Sequence, residues 1–244
     1  MDHRMTRATR FAPAHAARPD GVRLQRPERA VSWTDFRTAV RYDPASRVLI
    51  AVPAISAKRA EHPLLGEAVT PHLRIGAAEV YRREYEHGAV YWSERTGAHE
   101  VHGEIAARWH ALGGVGSFLG LPTTDERRID GPADGTGTGT RIGGYAHFEG
   151  GSMYWTTRHG AAVVHGMVGD IWALLGWERS ALGLPVADVR HDPETGVFSG
   201  CFENGTIAWS PAGGPEISIA APAASGDVLE SDECDSLGRY AGFV

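Results

Sequence analysis

The chain has 244 residues, of which 42% are hydrophobic and 22% charged, and its formal net charge is −6. That length suffices for one large or two small domains with a substantial core. The negative balance, with Lys and Arg scattered rather than striped, excludes a general nucleic-acid surface, and no stretch is long and apolar enough for a membrane-spanning helix.

Residues 1–30 are rich in Arg, Ala and Pro without periodicity and read as an extended or disordered arm. The start is polar and no apolar segment follows it, so the chain as written carries no secretory signal. The expectation is a cytoplasmic protein, or an envelope protein if the true start lies upstream. From Val31 to Ile50 the pattern reads as strand-rich. Asp43-Pro44-Ala45 is a turn signal, and the run from Arg47 to Val52 is a short β-type segment ahead of Pro53.

From there the chain repeats. His102, Gly103, Trp109 and Leu119-Gly120-Leu121-Pro122 recur at His165, Gly166, Trp172 and Leu182-Gly183-Leu184-Pro185, 63 positions later. A looser copy precedes them at Leu65-Gly66-Glu67-Ala68 and Gly88-Ala89-Val90-Tyr91-Trp92. Gly66 to Gly120 and Trp155 to Trp209 each span 54 positions, whereas Trp92 to Trp155 spans 63. The natural period is therefore 54, and the low-complexity run over residues 130–140 is the insert, expected as an exposed, mobile loop. Repeats of this length stack as supersecondary units.

Within a copy, Ile105, Trp109 and Leu112 form the apolar stripe of a short helix over Glu104 to Leu112, ended by Gly113-Gly114. In the next copy Met167, Ile171 and Leu174-Leu175 take the same part, with Gly176 as the stop. Tyr145 to Trp155 and Gly200 to Trp209 read as hairpins turning at Gly150-Gly151 and Asn204-Gly205. Pro53 to Arg59 overlays Gly103 to Trp109 with Ile55 on Ile105, a degenerate copy holding Arg59 in the tryptophan place. Trp33, Trp92, Trp155 and Trp209 mark at least four units. Glu216 to Ala220 offers a strand to the first unit, which would close a ring, and residues 221–244 form an acidic, mobile tail. Two cysteines, Cys201 and Cys234, make no disulfide framework. They read as free thiols, with one disulfide as the alternative.

The His-Gly-x-Ile/Val-x-x-x-Trp helix start, the Leu-Gly-x-Pro turn and the Phe-x-x-Gly-x-x-Tyr/Trp hairpin resemble LGFP repeats, the modules of actinobacterial cell-envelope proteins found at the C-terminus of mycoloyltransferases. The resemblance covers roughly Ala51 to Trp209. It departs in reading Leu-Pro for Phe-Pro, and Glu67-Ala68 in the first copy. It implies a mainly β fold with short helices: a pseudo-symmetric, propeller-like ring of four to five hairpin-plus-helix units over residues 31–220, binding cell-wall polysaccharide.

Chemistry is sparse. Ser117 lacks the spacing of a nucleophile elbow. Gly114-x-Gly116 ends a helix instead of opening one, so no cofactor motif is present. His99 and His102, three apart on a strand, face opposite sides and make no metal pair; neither a metal nor a cofactor is expected. The recurring polar residues remain. His102 and His165 precede equivalent helices and read either as architectural imidazoles or as ligand contacts. Asp125-Glu126 and Asp188 follow the Leu-Gly-x-Pro turn, as caps or as hydroxyl acceptors. In Tyr91-Trp92 and Tyr154-Trp155 the two rings of each pair face opposite ways, and Tyr91 and Tyr154 are the expected ligand floors. Trp109 and Trp172 read as core.

Two functions are carried forward. One is a polysaccharide-binding repeat protein, using aromatic faces and planar polar groups at several sites. The other is a free-standing intracellular enzyme performing acid–base chemistry (cyclisation, isomerisation or hydrolysis) on a small molecule, with His102, His165, Asp125 and Glu126 as candidates. The first expects both histidines to matter, the second only one.

Overall fold

The computed structural model describes residues 48–76, 79–133 and 139–219. The N-terminal arm, Trp33, the Asp43-Pro44 turn and the acidic tail lie outside the described residues. Among the described residues three α-helices, α1 (Val48–Glu61), α2 (Gly103–Ala111) and α3 (Gly166–Leu175), alternate with three four-stranded antiparallel meanders. Sheet 1 holds β1 (Leu73–Ile75), β2 (Val80–Tyr85), β3 (Gly88–Ser93) and β4 (Gly97–His102). Sheet 2 holds β5 (Arg127–Ala133), β6 (Gly139–Phe148), β7 (Gly151–Thr156) and β8 (Gly160–Val164). Sheet 3 holds β9 (Arg190–His191), β10 (Phe198–Phe202), β11 (Gly205–Ser210) and β12 (Gly214–Ile219). The fold is mainly β with short helices, and each unit is a four-stranded meander plus helix, larger than the expected hairpin plus helix.

Each helix packs on the sheet that follows it, so there are three equivalent cores. Ile55, Trp109 and Trp172 hold one place, all fully buried, each ten residues before Leu65, Leu119 and Leu182. Tyr85, Phe148 and Phe202, then Val90, Met153 and Ile207, complete the set. The overlay of Pro53–Arg59 on Gly103–Trp109 is thereby corrected: Ile55, not Arg59, stands in the tryptophan place. The expected strand over residues 47–52 is likewise helix from Val48. Ala51 and Ile55, at i and i+4, are both sealed against sheet 1, and this burial outweighs the backbone bond that Pro53 cannot make inside α1. The stripe of α3 is corrected too. Val168, Ile171 and Trp172 face inward, whereas Met167, Leu174 and Leu175 are exposed.

The Leu-Gly turn is locked by a residue outside the motif. Gly66, Gly120 and Gly183 have φ of 79°, 66° and 74°, reached without strain only by glycine. Above them sit Glu86, Glu149 and Glu203, whose Oε2 atoms accept the N–H of Glu67, Leu121 and Leu184 at 3.0 Å. Any Cβ on these glycines would strike that carboxylate, at 2.4, 2.4 and 2.7 Å. The glutamate belongs to the two-residue turn joining the middle strands. That turn is Glu149-Gly150 and Glu203-Asn204, one residue earlier than the Gly150-Gly151 and Asn204-Gly205 expected.

Three further expectations change. The insert is not a loop as far as it is described: residues 130–133 and 139–140 lengthen the β5–β6 hairpin, with Asp130 opposite Arg141. Residues 216–219 do not pair with the first unit, since β12 pairs with β11 inside sheet 3. Cys201 is disulfide-bonded, not a free thiol, and Cys234 lies outside the described residues. Among the described residues three units follow one another, and no helix is long and apolar enough to cross a membrane.

Candidate functional site

The two repeated histidines are built alike. Each stands at the end of the last strand of a sheet, His102 as its final residue and His165 just after it, in extended backbone (φ −148°), is followed by a glycine of positive φ that turns the chain, and opens a helix without capping it through its side chain. The imidazole is therefore free for other partners. The aspartate after the Leu-Gly-x-Pro turn is equivalent as well. Asp125 Oδ1 accepts from the Glu100 N–H at 3.2 Å, and Asp188 Oδ1 from the Val163 N–H at 2.8 Å, which pins this loop to the preceding sheet. Asp188 also binds Arg108 at 2.6 Å.

The surroundings then diverge, because Glu100 and Glu126 stand where the next copy has Val163 and Val189. Glu100 is 1% exposed, and its Oε2 lies 2.7 Å from His102 Nδ1. Its Oε1 accepts the Glu126 N–H at 2.9 Å, a role taken in the next copy by the Val163 carbonyl toward the Val189 N–H. The Glu126 side chain is 5% exposed. One oxygen receives Arg141, delivered by the lengthened β6, and the other lies 3.5 Å from His102 Nδ1 without a hydrogen-bond partner.

The hydrogen bond to Glu100 raises the His102 pKa above its ordinary 6.5, although burial pulls the other way. Burial raises the Glu126 carboxyl, against the neighbouring charges of His102 and Arg141. At His165 burial dominates and lowers the imidazole; the Phe118 ring stands edge-on to it at 5.0 Å. The same residue type at the same position is thus driven toward opposite protonation states by two Glu/Val exchanges.

Behind the site lies a second charge cluster on α1. Lys58 Nζ bridges Glu61 and Asp125 at 2.7 and 2.8 Å, while His62 and His99 approach Asp125 at 3.4 and 3.3 Å. Burial works against the charge on Asp125. The hydrogen bonds from His99, Lys58 and the Glu100 N–H outweigh it and hold the carboxyl well below the usual carboxylate range. Glu61, His62 and Asp125 bring potential metal-ligand atoms within 4.8 Å of one another. The Lys58 ammonium already bridges both carboxylates, so the cluster is a structural ion-pair network.

The aromatic expectation is corrected. Tyr91 and Tyr154 are 2% and 1% exposed, each edge-on to the tryptophan of the next helix at 4.9 Å, Tyr91 to Trp109 and Tyr154 to Trp172. They lock sheet n onto helix n+1 and floor no groove. The rings of each pair do face opposite ways, and in the second pair it is half-buried Trp155 that reaches the surface. Trp155 lines a cleft of about 290 Å³ with His102, Glu104, Glu126 and Arg141, above the first turn of α2. Of the residues expected at a site, His102 and Glu126 meet there and Asp125 supports them from behind. His165 and Asp188 lie at the other boundary. Glu100, Arg141 and Trp155 were missed. Their signal was not recurrence but its failure: at the 63-position offset, two apolar places carry carboxylates in one copy only.

Stability should follow this chemistry. His102 and Glu126 have raised values in the fold, so their contributions are complete below the unfolded values of 6.5 and 4.5 and are lost as pH rises through the folded ones. Asp125 has a lowered value, so its contribution is present above 3.8 and is lost as pH falls. Melting temperature is expected to peak in mildly acid solution and to decline toward pH 8. His102→Gln should flatten that alkaline limb, and thermal denaturation across pH 4–8 checks both.

Residues 65–117 and 119–180 match the family model described as the LGFP repeat. No curated protein matches the chain. The matched copies begin at Leu65-Gly66 and Leu119-Gly120, so the sequence repeat is a sheet plus the following helix, whereas the packing core is a helix plus the following sheet. The two are out of phase, and this interlocks successive units.

Proposed function

We propose that this chain, which belongs to the LGFP-repeat proteins, binds polysaccharide of the actinobacterial cell envelope through the cleft bounded by His102, Glu126, Arg141 and Trp155. The observation that carries the reading is the buried Glu126 oxygen that accepts no hydrogen bond, its neighbour His102 Nδ1, 3.5 Å away, being held by Glu100. A buried acceptor left unpaired costs about 1–3 kcal/mol, which a donor from outside recovers. The same cleft offers donors: Arg141 and the first-turn N–H groups of α2, which no side chain caps. Sugar hydroxyls both donate and accept, and a sugar's C–H face suits the Trp155 ring. The disulfide at Cys201 supports an oxidising compartment such as the envelope. A propeller-like ring remains part of this reading, supported by three successive interlocked units. In sheet 3 the positions of Tyr91 and Tyr154 are held by Ala208, so any closure there is packed differently.

The two boundaries are not equivalent sites on this reading. With Val163 and Val189 in the places of the two glutamates, His165 has no carboxylate within ion-pair distance among the described residues and is read as structural. On purified cell-wall polysaccharide, Trp155→Ala, Glu126→Gln and His102→Gln should each reduce retention of the full chain roughly tenfold or more, and His165→Gln should leave it unchanged. Equal losses at both histidines would refute a single site.

One observation favours a second reading, acid–base catalysis on a small molecule at the same cleft. A buried carboxylate on His102 Nδ1, beside a second carboxyl of raised pKa, is an arrangement such chemistry uses. Retention of intact glycan without turnover separates the two.

A further inference from the structure

The cleft on the Trp155 side has a neighbour. A second cleft of about 210 Å³ also borders His102, walled by Glu61, His62, Leu64, His87 and Glu100. His102 lines both clefts, and the Glu126 N–H from the wall of the first donates to Glu100 Oε1 from the wall of the second. We infer that the two are adjoining subsites of one groove crossing His102, and that the groove takes an oligosaccharide with one sugar residue on either side of the imidazole. The inference rests on the polysaccharide-binding reading and goes on to fix the minimal length of the ligand.

The Trp155 cleft, at about 290 Å³, stands at the lower end of the range of about 300–1,000 Å³ usual for small-ligand sites, and the second cleft of about 210 Å³ extends it. Chemistry agrees. Each cleft sets an apolar surface beside polar groups: Trp155 with Glu126 and Arg141 in one, Leu64 with Glu61, His62 and His87 in the other, where both Glu100 oxygens are already engaged by His102 and the Glu126 N–H. Two such apolar–polar surfaces meeting at one residue suit a ligand that itself repeats. Leu64 is 88% exposed, so the protein's own core does not require it. At the other boundary, the position equivalent to Leu64 is Phe118, whose ring covers His165 edge-on. The open second cleft is therefore a property of the His102 boundary, like its carboxylates.

The test titrates the full chain with size-fractionated oligosaccharides released by mild acid from purified actinobacterial cell wall. Calorimetry reads the longer fractions and ligand-observed NMR the monosaccharides. Fractions of two or more sugars should bind at least about tenfold more tightly than monosaccharides, because the second subsite is engaged intramolecularly. Leu64→Asp, at an exposed position that leaves the core intact, should bring the long fractions down to about monosaccharide affinity, a larger loss than any at the monosaccharides themselves. His87→Ala should act in the same direction, and Trp155→Ala should weaken every length. The inference is overturned if affinity is independent of length, or if Leu64→Asp affects all lengths alike or none. Should no fraction bind at any length, the polysaccharide reading itself fails, and the subsites with it.

Discussion

Trp109→Ala and Trp172→Ala are each expected to destabilise the fold by about 3–5 kcal/mol, lowering the melting temperature by roughly 6–20 °C in a protein of this size. Both indoles are fully buried and both stand at a junction. Each fills the core of its own unit against Phe148 or Phe202, and each receives the edge of a tyrosine from the preceding sheet. Removing one therefore opens a cavity and unlocks a unit boundary in a single step. The conservative exchange separates the two sites. Trp109 Nε1 donates to the Gly120 carbonyl at 3.1 Å, whereas Trp172 Nε1 is buried without a partner. Trp109→Phe should thus cost about 1–2 kcal/mol more than Trp172→Phe, the difference being a carbonyl left without its donor. Urea denaturation of the four variants measures this. Alanine variants that melt like the parent would show that the indoles are not core.

How far the sequence could be read followed from which forces were local. The turn glycines, Gly113 and Gly176 as helix stops, and the buried tryptophans announce themselves, because positive φ and large apolar volume are written in single residues. The α1 helix did not. A β-branched run before a proline reads as strand, and only contact of Ala51 and Ile55 with Tyr85, Val90 and Trp92 makes it helix. The Tyr91 and Tyr154 assignment failed for a related reason. Alternation along a strand says that two rings face opposite ways, but which of them meets the next helix is set by the interlock between units.

The candidate site was half legible. His102 and Glu126 stood out by their positions, but recurrence was the wrong filter for Glu100, Arg141 and Trp155. Symmetry preserves whatever holds the units together, so a special site at one boundary must break it. Glu100 and Glu126 break it by taking the places of valines. Arg141 does so by arriving on the part of β6 that the insert lengthens, which the third unit lacks.

That asymmetry supplies its own control experiment. Replacing Glu100 and Glu126 together by valine gives the His102 boundary the residues of the His165 boundary, and the outcome should be strongly non-additive. Glu100→Val alone strips the acceptor from His102 Nδ1 and from the Glu126 N–H while leaving the Glu126 carboxyl buried. Breaking a buried charged cluster in this way costs about 3–5 kcal/mol. In the double variant no buried carboxylate remains, and the N–H of residue 126 has a route already in use one repeat later, to the carbonyl of the strand residue opposite. Exchanging a whole buried ionic group for well-packed apolar side chains is often neutral, or stabilising by about 1–4 kcal/mol. The double variant should accordingly be at least as stable as the parent and about 3 kcal/mol or more above the single one. With the carboxylates gone, the His102 imidazole should titrate below its ordinary value, as burial makes His165 do. Glycan retention should disappear although the fold is intact. Urea denaturation, NMR titration of the imidazole and the cell-wall retention assay read the three outcomes separately. A double variant that is as unstable as the sum of its singles would show the carboxylates to be structural, and would remove the ground for placing a ligand beside them.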